Sequence, residues 1–110
     1  MPDIIDKAVF AELQDAAGAD FVTELVDTFL VEAPQMLAEL RAAQAAGVAD
    51  RFRRAAHSLK SNSNTFGATL LGELSRELEL GGVISDPAPL AALEAEYARV
   101  AVALKELTHG

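Results

Sequence analysis

Residues 51 to 67, Arg-Phe-Arg-Arg-Ala-Ala-His-Ser-Leu-Lys-Ser-Asn-Ser-Asn-Thr-Phe-Gly, carry the side chains whose types and spacing could do chemistry. At about 100° per residue, a helix here puts Phe52, Ala55, Ala56, Leu59, Ser63 and Phe66 on one stripe, and Arg53, His57, Lys60, Ser61 and Asn64 on the opposite one. His57 then faces away from the core, with Lys60 at i+3 and Arg53 and Arg54 at i−4 and i−3 as helical neighbours. Metal ligation fits poorly, because the i+3 and i+4 positions hold Lys60 and Ser61 and not a second ligand. A reachable imidazole beside positive charge and small side chains suits a phosphate carried on nitrogen. On geometry alone, a solvated surface histidine accounts for the same spacing.

The string His57-Ser58-Leu59-Lys60-Ser61-Asn62-Ser63, followed by Phe66-Gly67-Ala68, Leu70, Leu74 and Leu78-Glu79, resembles the histidine-containing phosphotransfer (HPt) family over roughly residues 20 to 80. The resemblance implies that His57 is the phospho-accepting residue and Lys60 the family's adjacent lysine. Ser61 stands where the family most often has Gly, which narrows the approach to the ring. Related domains use a polar second-helix residue beside the histidine, which makes Glu32 the candidate acceptor for Nδ1–H and Gln35 the poorer one; an ordinary solvated helix residue is the alternative for both.

Composition sets the frame for these residues. A chain of 110 residues is enough for one domain with one core. It is 51% hydrophobic, with five aromatic percent, which points to packed helices of Ala, Leu and Val. It has no Cys and so no disulfide or thiol chemistry. A formal charge of −8 opposes nucleic-acid binding. Four of the nine Lys and Arg residues, Arg51, Arg53, Arg54 and Lys60, cluster around His57, so an acidic molecule is expected to carry one positive strip suited to an acidic partner surface. With no apolar run of membrane-spanning length and no signal-like N-terminus, the expected address is the cytoplasm.

The elements that position the stretch follow from punctuation and periodicity. A short helix is expected over about 6–17, capped by Asp3 or Asp6. A long one follows over about 20–46, capped by Asp20, continuing through Pro34 with a kink because the apolar phase is the same on both sides. A third over about 50–66 is capped by Asp50 and overrides the weak helix propensity of Ser61 to Thr65. The fourth covers about 69–80, capped by Thr69, with Leu70, Leu71, Leu74, Leu78 and Leu80 inward. The last covers about 89–107, with Leu90, Leu93, Tyr97, Val100, Leu104 and Leu107 inward. His109 falls in a tail as a disordered surface residue. The fold class is therefore all-α: an antiparallel up-down four-helix bundle with a short additional N-terminal helix, one domain over 1–110.

The function the resemblance implies is that of a phosphorelay intermediate. His57 would accept a phosphoryl group from a receiver-domain aspartyl phosphate and pass it to another receiver aspartate, with Lys60 on the phosphoryl oxygens and Arg53 or Arg54 assisting. There is no Gly-x-x-x-x-Gly-Lys loop, Gly-rich lid or carboxylate cluster for a nucleotide and its metal. The expectation is a phosphocarrier without cofactor, with Mg2+ in the partner receiver. The partners would be receivers of response regulators or of a hybrid histidine kinase, and the chain a monomer. They would dock on the face shared by the second and third helices, including Arg54, Ser58, Ser61 and Asn64. A non-catalytic helical adaptor, with His57 incidental, is the rival; a metal-dependent hydrolase is nearly excluded by two histidines and no cysteine.

Overall fold

The computed structural model describes residues 3–83 and 85–109, and places five helices among them: α1 (Lys7–Ala17), α2 (Ala19–Ala46), α3 (Ala49–Thr65), α4 (Thr69–Gly81) and α5 (Ala88–Thr108). The four long helices form a closed ring in which α2 meets α3 and α5, and α4 meets α3 and α5. Side-chain pairs fix the directions. Arg41 of α2 reaches Glu94 of α5 while Asp27 reaches His109, so α5 runs against α2. The longest dimension, 41 Å, is that of α2 itself, whose 28 residues span about 42 Å at 1.5 Å each.

The core is the set of stripes that helical periodicity places inward. Val22, Val26, Phe29, Ala33, Leu37, Leu40 and Ala43 from α2 meet Phe52, Ala56 and Leu59 from α3 and Leu90, Leu93, Val100 and Leu104 from α5, all buried. Phe29 ties three helices together, with its ring centroid 5.4 Å from Phe66 and 6.0 Å from Tyr97. Pro34 lies inside an unbroken α2. Its missing N–H leaves the Leu30 carbonyl without a helical donor, and the Tyr97 hydroxyl of α5 donates to that oxygen at 3.5 Å. The Ser- and Asn-rich end of α3 stays helical with Ser63 and Phe66 buried, and its polar side chains bond backward along the helix. Asn62 Nδ2 donates to the Ser58 carbonyl, Ser63 Oγ to Leu59 and Thr65 Oγ1 to Ser61.

Several local expectations are corrected. Asp6 does cap α1, its Oδ1 accepting from the N–H groups of Ala8 and Val9. Asp20, Asp50 and Thr69 do not cap: Asp20 and Asp50 are the second residues of their helices and Thr69 the first of its own, and the cap positions are Gly18, Val48 and Ala68. Leu70 and Leu80 of α4 point outward, 47% and 68% exposed. The inward face is set by Leu71, Ser75 and Leu78, and Leu80 lies half a turn from Leu71. Leu107 is also at the surface, whereas Glu96 of α5 is buried. His109 is no loose tail: its Nε2 is 2.9 Å from Asp27 Oδ1.

α1 lies against α2 and α3, and the segment before it braces the corner between α3 and α4. The Asp6 N–H donates to the Gly67 carbonyl at 2.8 Å, and Ile5 and Phe10 are buried on either side. Gly67 has φ +79°, and a Cβ there would meet the Asp6 carbonyl oxygen at 2.8 Å, so the tight corner needs glycine for both conformation and space.

Candidate functional site

The α3–α4 corner sets the geometry of everything around His57. Asn64, near the end of α3, lies over Gly72 of α4, where a Cβ would collide with its amide. Seven residues back along α3 is His57 and seven forward along α4 is Glu79, two turns in each case, so the antiparallel register that joins Asn64 to Gly72 also brings His57 to Glu79. The seam between the helices is built of small residues, Ala56, Ser63, Gly72 and Ser75, all buried. Both serine hydroxyls donate to the carbonyl one turn earlier in their own helix, so they need nothing from across the seam and the helices can approach closely.

At that position the His57 side chain is 56% exposed, and its Nδ1 lies 2.9 Å from Glu79 Oε2 and 3.2 Å from Oε1. Lys60 Nζ lies 3.2 Å from the same Oε2 and 3.3 Å from Oε1. One carboxylate, only 16% exposed, thus receives both the imidazole and the ammonium. Burial pushes the Glu79 carboxyl up, but the hydrogen bonds from Lys60 and His57, with their charges, outweigh it and hold it below the usual carboxylate range. A carboxylate on Nδ1 selects the tautomer with the proton on that nitrogen and leaves the Nε2 lone pair directed outward. Chemically this is an oriented, accessible nucleophile with a compensated charge beneath it.

Glu79 replaces Glu32 in the role expected at Nδ1. Glu32 and Gln35 lie on α2, on the other side of α3, and line a groove between these helices with Met36, Arg54, Ala55 and Ser58. The reason is one of phase: on α3 the His57 direction is toward α4, and the α2 side is occupied by Ala55 and Ser58. Lys60 is held inward, its side chain 24% exposed. Ser61 and Asn64 are exposed as expected, with Asn64 marking the contact with α4.

The positive strip is also corrected. Arg53 and Arg54 both bind Asp50, at 3.1 and 2.6 Å, and the pair, Arg54 foremost, holds that carboxyl below its usual range. Arg51 binds Glu39 of α2 at 2.6 Å. Every cation of the expected strip has a carboxylate partner, with Arg53 and Arg54 sharing one, so acidic groups are interspersed along it. Among the described residues no group of three or more His, Cys, Asp or Glu is placed to hold a metal ion, and no helix is long and apolar enough to cross a membrane.

Glu79 was within reach of sequence reasoning. Folding the chain back at Gly67-Ala68 places residue 79 opposite residue 57, and the short connection between two helices is the signal for doing so. Glu96, in contrast, gives no sequence signal of burial.

An exposed, carboxylate-oriented histidine on a four-helix bundle defines a histidine phosphotransfer module, and the chain belongs to the Hpt domain family, whose model matches residues 24–103. It is an intermediate of phosphorelays; members of this family are phosphocarriers and work with response-regulator and kinase receivers in two-component systems. Among solved structures, the chain is similar to histidine-containing phosphotransfer protein B (HptB) from Pseudomonas aeruginosa PAO1, at 33% identity and a TM-score of 0.91, over 99% of this chain and 97% of that one. A search of curated proteins gave no match.

Proposed function

We propose that His57 is the residue that carries the phosphoryl group. The observation that carries this reading is the pairing of a half-exposed ring with Glu79 at 2.9 Å through Nδ1, which leaves Nε2 as the outward nucleophile. In the forward step the Nε2 lone pair attacks the phosphorus of a receiver aspartyl phosphate. The N–P bond forms as the acyl O–P bond breaks, and the aspartate leaves as its carboxylate. The Nδ1 proton stays on the ring, and Glu79 neutralises the positive charge that the phosphorylated imidazole acquires. The reverse step returns the group to a second receiver. Phosphoryl transfer needs position and charge neutralisation above all, and a rigid helix seam supplies the first.

Lys60 serves the phosphoryl oxygens by releasing part of its hold on Glu79. The groove between α2 and α3, with Glu32, Gln35, Arg54 and Ser58 around Met36 and Ala55, is the docking face for the receiver, apolar at its floor and charged at its rim. In this reading the protein works as a cytoplasmic monomer without a cofactor of its own, and the magnesium ion belongs to the receiver. The test is incubation with a phosphorylated receiver domain, scoring acid-labile, base-stable label. Label on wild type and none on His57→Gln is expected; equal label on both ends the proposal and favours an adaptor.

A further inference from the structure

The chain has six arginines, and five of them hold a carboxylate: Arg41 binds Glu94, Arg51 binds Glu39, Arg53 and Arg54 share Asp50, and Arg99 binds Glu96. Arg76 holds none among the described residues, although acidic residues outnumber basic ones 17 to 9. It is exposed, on α4. It comes four residues after Gly72, which meets Asn64, and three before Glu79, which meets His57, so all three positions lie on the stripe of α4 that faces α3. The register that pairs residue 57 with 79 puts Arg76 level with Lys60. At 1.5 Å per residue it stands about 4.5 Å along the helix from Glu79, a span that an arginine side chain covers.

The natural i+3 partner of Arg76 is Glu79, but that carboxylate already receives His57 Nδ1 and Lys60 Nζ. The site thus holds two cations in unequal states. Lys60 is half-buried and committed; Arg76 is exposed and uncommitted. A phosphoryl group on Nε2 brings negative oxygens to the outward side of the ring, one helical turn along the seam from the exposed Arg76. Its forked donors match phosphoryl oxygens in pairs, which an ammonium cannot do.

Resting on the reading of His57 as the phosphocarrier, we propose that Arg76 is a second cationic contact for the phosphoryl group on His57, supplied across the helix seam by α4. Lys60 then keeps part of its bond to Glu79 while Arg76 meets the added charge. Read in order along the chain, Arg76 lies 19 positions beyond His57 and outside the basic cluster, so only the folded register brings it to the site.

The experiment uses the full chain phosphorylated with phosphoramidate, as wild type, Arg76→Ala, Arg76→Lys and Arg41→Ala, the last removing an arginine that pairs with Glu94 elsewhere. Phosphorus NMR titration reads the acidity of the phosphoryl group, and equilibration with a receiver domain reads its partition. Arg76→Ala should weaken the phosphoryl acidity about two- to fivefold, the range of one exposed charge pair, and move the partition toward the receiver by a similar factor. Arg76→Lys should recover part of both, and Arg41→Ala neither. Circular dichroism confirms that each variant is folded. An Arg76→Ala protein that takes label but matches Arg41→Ala in both readouts overturns the inference alone. A wild type that takes no label on His57 overturns the phosphocarrier reading and the inference with it.

Discussion

Replacing Glu96 by methionine should make the protein more stable, against the usual expectation for a mutation in a packed helix. The Glu96 side chain is 1% exposed and lies on α5 between Leu93 and Val100, both fully buried. Its Oε1 accepts from Arg99 Nε at 2.8 Å, while Oε2 has no partner among the described residues. Arg99 is 56% exposed, so the anion is desolvated while the cation is not. An attraction screened in this way is worth about 0–1 kcal/mol. An unsatisfied buried oxygen costs about 1–3 kcal/mol. The difference favours removal by about 1–2 kcal/mol, and methionine fills a similar volume with an adaptable apolar chain. In urea unfolding with unchanged slope, the midpoint should rise by about 0.5–1 M. Arg99→Ala, which strands the carboxylate entirely, should lower it. A fall in the Glu96→Met midpoint would refute the reasoning, since it would mean that the carboxylate gains more inside than it loses.

Other outcomes follow from positions already described. Gly67→Ala should cost about 2–3 kcal/mol in the same assay, because φ +79° disfavours a side chain and the obstacle is the Asp6 backbone. Gly72→Ala should stay within about 1 kcal/mol of wild type, because only the end of the Asn64 side chain must move and alanine favours helix. Ser63→Leu should overpack the seam at a cost of about 1–3 kcal/mol and slow phosphoryl transfer, read from receiver label. Glu79 is held below its ordinary value of 4.5, so its bonds to Lys60 and His57 contribute fully above that pH and are lost as pH falls through the lower folded value. Carbon NMR of the Glu79 carboxyl should show this loss on acidification in wild type, and nitrogen NMR of the His57 ring a reduced Nδ1–H population at neutral pH in Glu79→Ala.

How much could be read in advance varied with the distance over which each feature is decided. The α3 stripe of Phe52, Ala56, Leu59, Ser63 and Phe66 is a local property of helical period, and all of it is buried. The continuity of α2 through Pro34 follows from the same apolar phase on both sides, though the Tyr97 hydroxyl that serves the Leu30 carbonyl is 67 residues from it in sequence. The exposure of His57 was likewise local. The carboxylate on its Nδ1 was not, because it depends on how two helices register, and Glu32 on α2 offers the same chemistry on the wrong side of α3. The basic strip failed on both counts: Asp50, which pairs Arg53 and Arg54, is local to α3, while Arg51 finds Glu39 only when α2 and α3 lie side by side. Leu70 and Leu80 were expected in the core, and Glu96 on α5 is buried although it is charged; in each case position around the helix axis overrode residue character.

The corner at Phe66, Gly67 and Ala68 does more than turn the chain. Adding or deleting one residue there would swing α4 by about 100° about its axis and bring Leu78 or Leu80, in place of Glu79, to the imidazole. The number of residues in that bend is thus a specification of the reactive centre, as strict as the identity of the histidine. A relative with every side chain of the site intact but a bend of different length would be expected to present its ring without an anchor.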